Sequence, residues 1–135
     1  MEVNNIIICD SVENVPGPNG NVPKLVMPYS NIVLNAFPNN LTFTIFITLE
    51  GLPSEPGFFD VNFYNPNCKE ASLMNFKIPF DETNMELVKE KPFPNISLSI
   101  DARNYCFAEP GKYVVEILFG EKILAERKIN IHKAK

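Results

Sequence analysis

Histidine is nearly absent from this 135-residue chain, and tryptophan is missing altogether. The single histidine, His132, lies close to the C-terminus. Catalysis by a histidine needs an imidazole that a third group holds against a nucleophile, and chain ends rarely hold a side chain so firmly. Because no nucleophile–base pair occurs at a recognisable spacing either, the sequence predicts a protein that is not an enzyme.

Cysteine is also scarce: Cys9, Cys68 and Cys106 lie far apart and show no Cys-x-x-Cys spacing. An odd number of distant cysteines favours neither a disulfide framework nor a zinc site, so we expect three small, mostly buried apolar side chains. The start of the chain lacks the basic segment, the apolar region and the small-residue cleavage site of a secretory signal. We therefore expect a cytoplasmic protein.

Positive charge and long apolar runs are lacking as well. The chain has 12 Lys and Arg against 16 Asp and Glu, a formal charge of -4 at pH 7, whereas a nucleic-acid-binding face is basic. No apolar run approaches the roughly 20 residues that a membrane helix needs. Gly17-Pro18-Asn19-Gly20 has the wrong spacing for a phosphate-binding loop. We expect no nucleic acid, membrane or cofactor as a partner.

Alternation of apolar residues with others dominates what is present. Residues 41–49 show it most clearly, and it recurs at residues 58–64, 73–80, 96–100, 113–119 and 123–131. Apolar segments at residues 3–9 and 31–37 complete the set. A period of two residues is typical of half-buried strands. The sequence therefore predicts about eight strands.

Proline and glycine divide these segments. Pro79 places the strand over residues 73–80 at a sheet edge, and Gly120-Glu121 has the glycine-first order of a type II′ hairpin turn. Residues 15–23 are rich enough in Pro and Gly to predict an irregular connector. The one helix candidate covers residues 81–89, and Lys91-Pro92-Phe93-Pro94 interrupts any continuation.

Many short strands with turn signals every 8 to 12 residues or so and almost no helix are typical of a β-sandwich. We therefore predict an all-β fold in which residues 1–135 form a single domain, a two-sheet antiparallel sandwich of the immunoglobulin-like kind. The tight turn at Pro110-Gly111 before the strand that begins at Tyr113 fits this prediction, because sandwiches use such a turn to move the chain between sheets. Tyr113 is a candidate for a tyrosine corner.

Several short motifs occur in an order that resembles a family of small bacterial proteins labelled as a domain of unknown function. These motifs are Cys9-Asp10 after the opening strand, a strand that runs into Ala36-Phe37-Pro38, and the closing stretch Phe107-Ala108-Glu109-Pro110-Gly111-Lys112-Tyr113. The resemblance implies a small bacterial immunoglobulin-like sandwich that is sometimes encoded near mobile elements. It supplies no catalytic residue.

The carboxylates offer one candidate site. Asp10, Asp60 and Asp81 lie at or near the predicted ends of strands, and some sandwiches bind calcium through loops at one end. No Asp-x-Asp spacing or dense acidic loop accompanies them, so they are weak metal candidates. A small ligand- or metal-binding sandwich that uses these acidic loops is our alternative hypothesis.

Surplus hydrophobicity offers the leading candidate. Six large apolar residues fall on strand faces where a sandwich usually places polar ones: Phe46, Phe58, Tyr64, Leu73, Val114 and Leu118. An exposed apolar patch marks a partner surface, and an edge strand adds free backbone groups, so Val114 and Leu118 on the penultimate strand are the first choice. We predict a protein-protein interaction module, an inhibitor or accessory protein of a bacterium or its mobile elements, that binds another protein or a second copy of itself.

Overall fold

The computed structural model describes residues 1–18, 20–90 and 95–135. Within them the chain forms β1 (Glu2–Gly17), β2 (Gly20–Tyr29), β3 (Asn31–Leu34), β4 (Asn39–Glu50), β5 (Gly57–Tyr64), a 3-10 turn (Pro66–Cys68), α1 (Lys69–Ser72), β6 (Met74–Phe80), α2 (Glu82–Lys89), β7 (Asn95–Phe107), β8 (Gly111–Phe119) and β9 (Lys122–Lys133). None of the helices in these three ranges is long and apolar enough to cross a membrane.

The strands form two sheets that enclose one hydrophobic core. The four-stranded sheet has the order β2-β1-β4-β7, and the five-stranded sheet has the order β3-β9-β8-β5-β6. The prediction of an all-β two-sheet sandwich is confirmed. The sandwich is not wholly antiparallel, because β3 runs parallel to β9. Only Ser30 connects β2 to β3. One residue is too short for a reversing turn, so β3 does not fold back on β2.

The first strand is longer than its apolar segment. It continues to Gly17 and forms a hairpin with β2 that closes at the pair Gly17 and Gly20. The expected irregular connector at residues 15–23 is therefore wrong. Proline excludes a central strand, but β2 lies at a sheet edge, where Pro23 and Pro28 need not donate to a second neighbour.

The helix predicted at residues 81–89 is confirmed as α2. Asp81 caps its N-terminus, since its carboxylate accepts from the Asn84 backbone N–H at 2.9 Å while the Asn84 side chain accepts from the Asp81 N–H at 3.0 Å. Met85 and Val88, three residues apart, are buried in the core. The predicted break at residues 91–94 lies outside the described residues. The sequence did not predict the short helical segment from Pro66 to Ser72. Two local hydrogen bonds stabilise it: the Asn67 backbone N–H donates to the Asn65 side chain, and the Ser72 hydroxyl donates to the Cys68 carbonyl oxygen.

Aromatic rings fill much of the core. Five rings contact one another with centroids 4.8 to 6.3 Å apart: Phe43, Phe63, Tyr105, Phe107 and Tyr113. A second group places Phe59 5.7 Å from Phe80 and 4.8 Å from Phe119. Offset and edge-to-face pairs of this kind stabilise a core beyond their buried area. The phenylalanine surplus is therefore largely core packing rather than surface.

The corner between β7 and β8 carries the chain from the four-stranded to the five-stranded sheet. The hydroxyl of Tyr113 donates to the carbonyl oxygen of Glu109 at 2.8 Å, which confirms the predicted tyrosine corner. The hairpin between β8 and β9 also forms as predicted. Gly120 has a φ of 63°, and Glu121 is not among the described residues with a positive φ, so the turn is of type II′.

Candidate interaction surface

The outer face of the five-stranded sheet carries a chain of polar side chains across β6, β5 and β8. The amide nitrogen of Asn75 donates to Oδ1 of Asn62 at 2.7 Å and to Oδ1 of Asp60 at 3.3 Å. The amide nitrogen of Asn62 in turn donates to Oε1 of Glu116 at 3.0 Å. This series of hydrogen bonds ends at the hydroxyl of Tyr64, which donates to Oε2 of Glu116 at 3.2 Å. These contacts fix the central part of the face.

Glu116 is the central acceptor of this network and is itself buried. Both of its carboxylate oxygens accept hydrogen bonds, as a buried charge requires. Burial, followed by the nearby Glu116 carboxylate, raises the pKa of Tyr64, so its phenol stays protonated and remains a donor. The ammonium group of Lys69 lies 4.7 Å from the centre of the Tyr64 ring, which places α1 over the end of the network.

The structure does not expose all five predicted contact residues. Val114 is 3% exposed, Phe46 6% and Tyr64 9%. Val114 pairs with Tyr64 and Lys128, because β8 lies between β5 and β9 and is a central strand rather than an edge. Choosing Val114 and Leu118 for an exposed backbone edge was therefore wrong.

Phe46 and Tyr64 point away from the core but are covered by their own neighbours. Phe46 lies between its cross-strand partners Ile7 and Ser99, and Tyr64 lies against Lys69 and Glu116. Apolar residues on an outer face are thus buried within this one chain. A partner surface made of all five predicted residues is not formed.

A smaller apolar surface does form on the outer face of the five-stranded sheet. Phe58 is 53% exposed and pairs across β5 and β6 with the exposed Pro79. The half-buried Leu118 pairs across β8 and β9 with Ile123, which is 59% exposed. The backbone N–H of Gly120 donates to the carbonyl oxygen of Phe58 at 3.2 Å, which joins the two pairs. We call Phe58, Pro79, Leu118 and Ile123 the Phe58 patch.

Ile123 belongs to this patch because of a β-bulge. The sequence alternation places Ile123 on the same face as Ala125, Ile129 and Ile131. The pairing register shifts between Ile117 and Leu118, so that Leu118 pairs with Ile123 while Ile117 pairs with Ala125. A bulge inserts one extra residue and reverses the alternation beyond it. No local sequence signal marks this bulge, and the sequence therefore missed Ile123.

The three candidate acidic residues lie on separate elements. Asp10 is within β1, which extends past the end expected from the sequence, and Asp60 is in the interior of β5. Asp81 caps α2. In the ranges that the structure describes, no group of three or more His, Cys, Asp or Glu side chains could hold a metal ion. The expected cluster of acidic loops at one end is not formed.

The cysteines and the histidine differ from expectation in exposure. Cys9 is buried, whereas Cys68 is half-buried and Cys106 is exposed, so the expectation of mostly buried cysteines holds for one of the three. Burial raises the pKa of the Cys9 thiol, and the nearby carboxylates of Asp10 and Asp101 add to the effect. His132 is exposed, but it lies within β9 and pairs with Val33 rather than in a frayed tail.

A cleft of about 450 Å³ adjoins the Phe58 patch at one end of the sandwich. The loop that follows β4 forms one wall of the cleft, and the hairpin between β8 and β9 forms the other. The lining includes Leu52, Glu55, Phe119, Lys122 and Leu124. Sites for small ligands have volumes of about 300 to 1,000 Å³, so the cleft has a suitable size.

Comparison with known proteins identifies the family but no activity. An immunoglobulin-like protein from Pseudomonas aeruginosa, known from a crystal structure, superposes with a TM-score of 0.44 at 9% sequence identity, covering 96% of this chain and 94% of that one. No curated protein matches the sequence. The model of a family of unknown function, DUF6941, matches residues 4–132. The chain therefore belongs to the DUF6941 family.

Proposed function

We propose that this protein acts by binding another protein, without catalysis and without a cofactor, and that the Phe58 patch is its contact surface. One observation carries the proposal: Phe58 on β5 and Ile123 on β9 are both more than half exposed on the same outer face, with Leu118 of β8 between them. Exposed aromatic side chains supply much of the energy at protein interfaces. An inhibitor or accessory protein of a bacterium or its mobile elements is the role that we infer for such a module.

The backbone around the patch favours a preformed contact surface. The patch residues lie on β5, β6, β8 and β9, whose pairing is continuous through the five-stranded sheet. β5, β8 and β9 are held by neighbours on both sides and so lose little conformational entropy on binding, and preorganisation of this kind increases affinity. The hydrogen-bonded chain from Asn75 to Glu116 anchors the same face next to the patch.

Charges around the patch and on the whole chain support a proposal for the partner's chemistry. Lys77 lies with its ammonium group 6.0 Å from the centre of the Phe58 ring, and Asp60 pairs with both Lys77 and Leu118. A charged rim around an apolar centre is typical of transient interfaces. The formal charge of -4 favours association with a basic partner, such as a protein that handles nucleic acid.

Capture from bacterial lysate with matched baits tests this proposal. Phe58→Ser removes the aromatic anchor, and Leu87→Ser removes an apolar side chain of similar exposure, 57%, on α2. We expect a protein that wild-type and Leu87→Ser baits retain and the Phe58→Ser bait loses, since truncation of a central anchor costs about 2 kcal/mol or more. Equal recovery by all three baits, or recovery by none, would contradict the proposal. Thermal unfolding confirms beforehand that the baits are folded.

The cleft of about 450 Å³ supports a second candidate function, the binding of a small ligand. Lys122 and Glu55 place opposite charges beside the apolar side chains of Leu52 and Phe119, a composition found in ligand sites. A thermal-shift screen with nucleotides, Ca²⁺ and Zn²⁺ tests it. A ligand at 100 times its Kd adds about 2.7 kcal/mol to the free energy of unfolding, so an unchanged melting temperature with every compound leaves this candidate without support.

A further inference from the structure

One strand position of the sandwich is unfilled among the described residues. In the immunoglobulin arrangement one sheet contains strands A, B, E and D, with E next to D, and the tyrosine corner lies between E and F. Tyr113 marks β8 as strand F and β7 as strand E, and β4, which pairs with β7, corresponds to strand B. The chain between β6 and β7 contains α2 where strand D is expected. The four-stranded sheet is therefore open beside β7.

The opposite sheet shows the effect of this gap. Val61 and Phe63 on β5 are fully buried. The core-facing residues of the neighbouring β6, Met74, Phe76 and Ile78, are only half-buried. A groove of about 360 Å³ runs between β6 and β7, with Phe76, Ile78, Leu98 and Ile100 along it. The groove lies where a further strand, paired with β7, would cover the core-facing side of β6.

The free edge of β7 is also the least protected edge of the two sheets. Natural edge strands carry lysine, proline or bulges that prevent pairing with other chains. β6 has Lys77 and Pro79, β2 has Pro23, Lys24 and Pro28, and β3 is only four residues long. On β7 the eight residues 95–102 hold neither lysine nor proline. Their outward side chains are the small polar Asn95, Ser97, Ser99 and Asp101.

We propose that β7 of a second copy fills this position, pairing antiparallel about a two-fold axis at Ser99. An isologous contact uses the same segment on both copies, and this register uses the whole regular segment from Asn95 to Arg103. It ends where the register with β4 shifts at Arg103 and Asn104, next to the positive φ of Asn104. The dimer then has an eight-stranded sheet, and it brings the half-buried side chains of both β6 strands together.

The charges of β7 are compatible with this register. Asp101 of one copy faces Ser97 of the other, whose hydroxyl is a donor, and Arg103 faces Asn95, whose amide oxygen is an acceptor. On the core side, Leu98 faces Ile100. No like charges face each other, which would destabilise a cross-strand pair. One acidic and one basic residue leave the edge neutral, although the whole chain has a charge of -4.

Light scattering coupled to size-exclusion chromatography of the full chain over a concentration series tests the dimer. We expect a dimer at high concentration. Ser99→Lys places two lysines on the axis and should weaken the dimer about fivefold or more, whereas Asn21→Lys adds the same charge at the exposed edge strand β2 and should leave the dissociation constant unchanged. A wild-type monomer at every concentration overturns the proposal, and so does an equal effect of the two variants.

Disulfide trapping tests the register. Cross-strand partners have Cβ atoms about 4.5 to 5.5 Å apart, near the range that a disulfide spans. In a background with Cys68→Ser and Cys106→Ser, we expect Ser99→Cys to form a covalent dimer on oxidation and Asn21→Cys to remain monomeric on a denaturing gel. Trapping of both or neither overturns the proposed axis. The Phe58→Ser variant should still dimerise, so failure of the dimer and failure of the proposed function are separate results.

Discussion

Removal of the Tyr113 hydroxyl tests how much the corner between the two sheets contributes to the stability of the fold. The hydroxyl donates to the carbonyl oxygen of Glu109 at 2.8 Å, across the corner that joins the two sheets. The residue is 1% exposed, and its ring stacks on Phe63 with a centroid distance of 5.6 Å. The change Tyr113→Phe removes the hydrogen bond but keeps the ring and its packing.

The expected cost follows from this difference. A net hydrogen bond contributes about 1 kcal/mol to the free energy of unfolding, and burial of the ring contributes far more. We therefore expect Tyr113→Phe to destabilise the protein by about 1 kcal/mol, which lowers the melting temperature by about 3 to 5 °C for a domain of this size. Tyr113→Ala also leaves a cavity among Phe63, Phe107 and Tyr105 and should cost about 3 to 5 kcal/mol.

Urea unfolding followed by circular dichroism measures both values. Tyr29→Phe is the comparison, because it removes the hydroxyl of a half-buried tyrosine beside Asp10 and outside the corner, where water can replace the lost contact, and it should cost less than Tyr113→Phe. If Tyr113→Phe changes the free energy of unfolding by less than about 0.3 kcal/mol, or by no more than Tyr29→Phe does, the reasoning about the corner is wrong, because a buried hydrogen bond contributes more than that.

Three further predictions concern the cap of α2, the cysteines and the tyrosines. Asp81→Ala removes the cap from α2 and should cost about 1 kcal/mol in urea unfolding, with Glu82→Ala as a nearly neutral control. In thiol labelling, the exposed Cys106 should react in the folded protein and Cys9 only after unfolding, since burial raises its pKa; fast native labelling of Cys9 would contradict its position. Burial raises the pKa of all four tyrosines, so the folded state keeps their protons more firmly than the unfolded state does. The free energy of unfolding should therefore fall as the pH rises above about 10, and a flat profile from pH 9 to 11 would refute this.

Much of the fold could be predicted because it is encoded locally. Alternation between Leu41 and Leu49 predicts a strand that the structure extends to residues 39–50, and Pro110-Gly111 before Tyr113 predicts the corner. The connector at residues 15–23 could not be predicted in the same way. Proline is compatible with β2 because this strand has a neighbour on one side only. Which strand lies at a sheet edge depends on the order of all the strands, and a local segment of sequence does not show that order.

The contact surface was harder to predict because the burial of an outward residue depends on distant parts of the chain. Phe58 and Tyr64 are both outward on β5, yet Phe58 is 53% exposed and Tyr64 is 9% exposed. The difference comes from Lys69 on α1, which covers the Tyr64 ring, and from Glu116 on β8. The sequence predicted Phe58 and Leu118, but not that three of their expected companions would be buried.

The helix α2 explains why β7 has a free edge in a folded monomer. Met85 and Val88 lie three residues apart, the spacing of one helix face, and both are buried in the core. Asp81 and Asn84 satisfy the backbone at the start of the helix. A strand beside β7 would expose one of the two apolar residues and lose the cap. The segment is therefore more stable as a helix, and a second copy can pair with β7 without unfolding any part of the monomer.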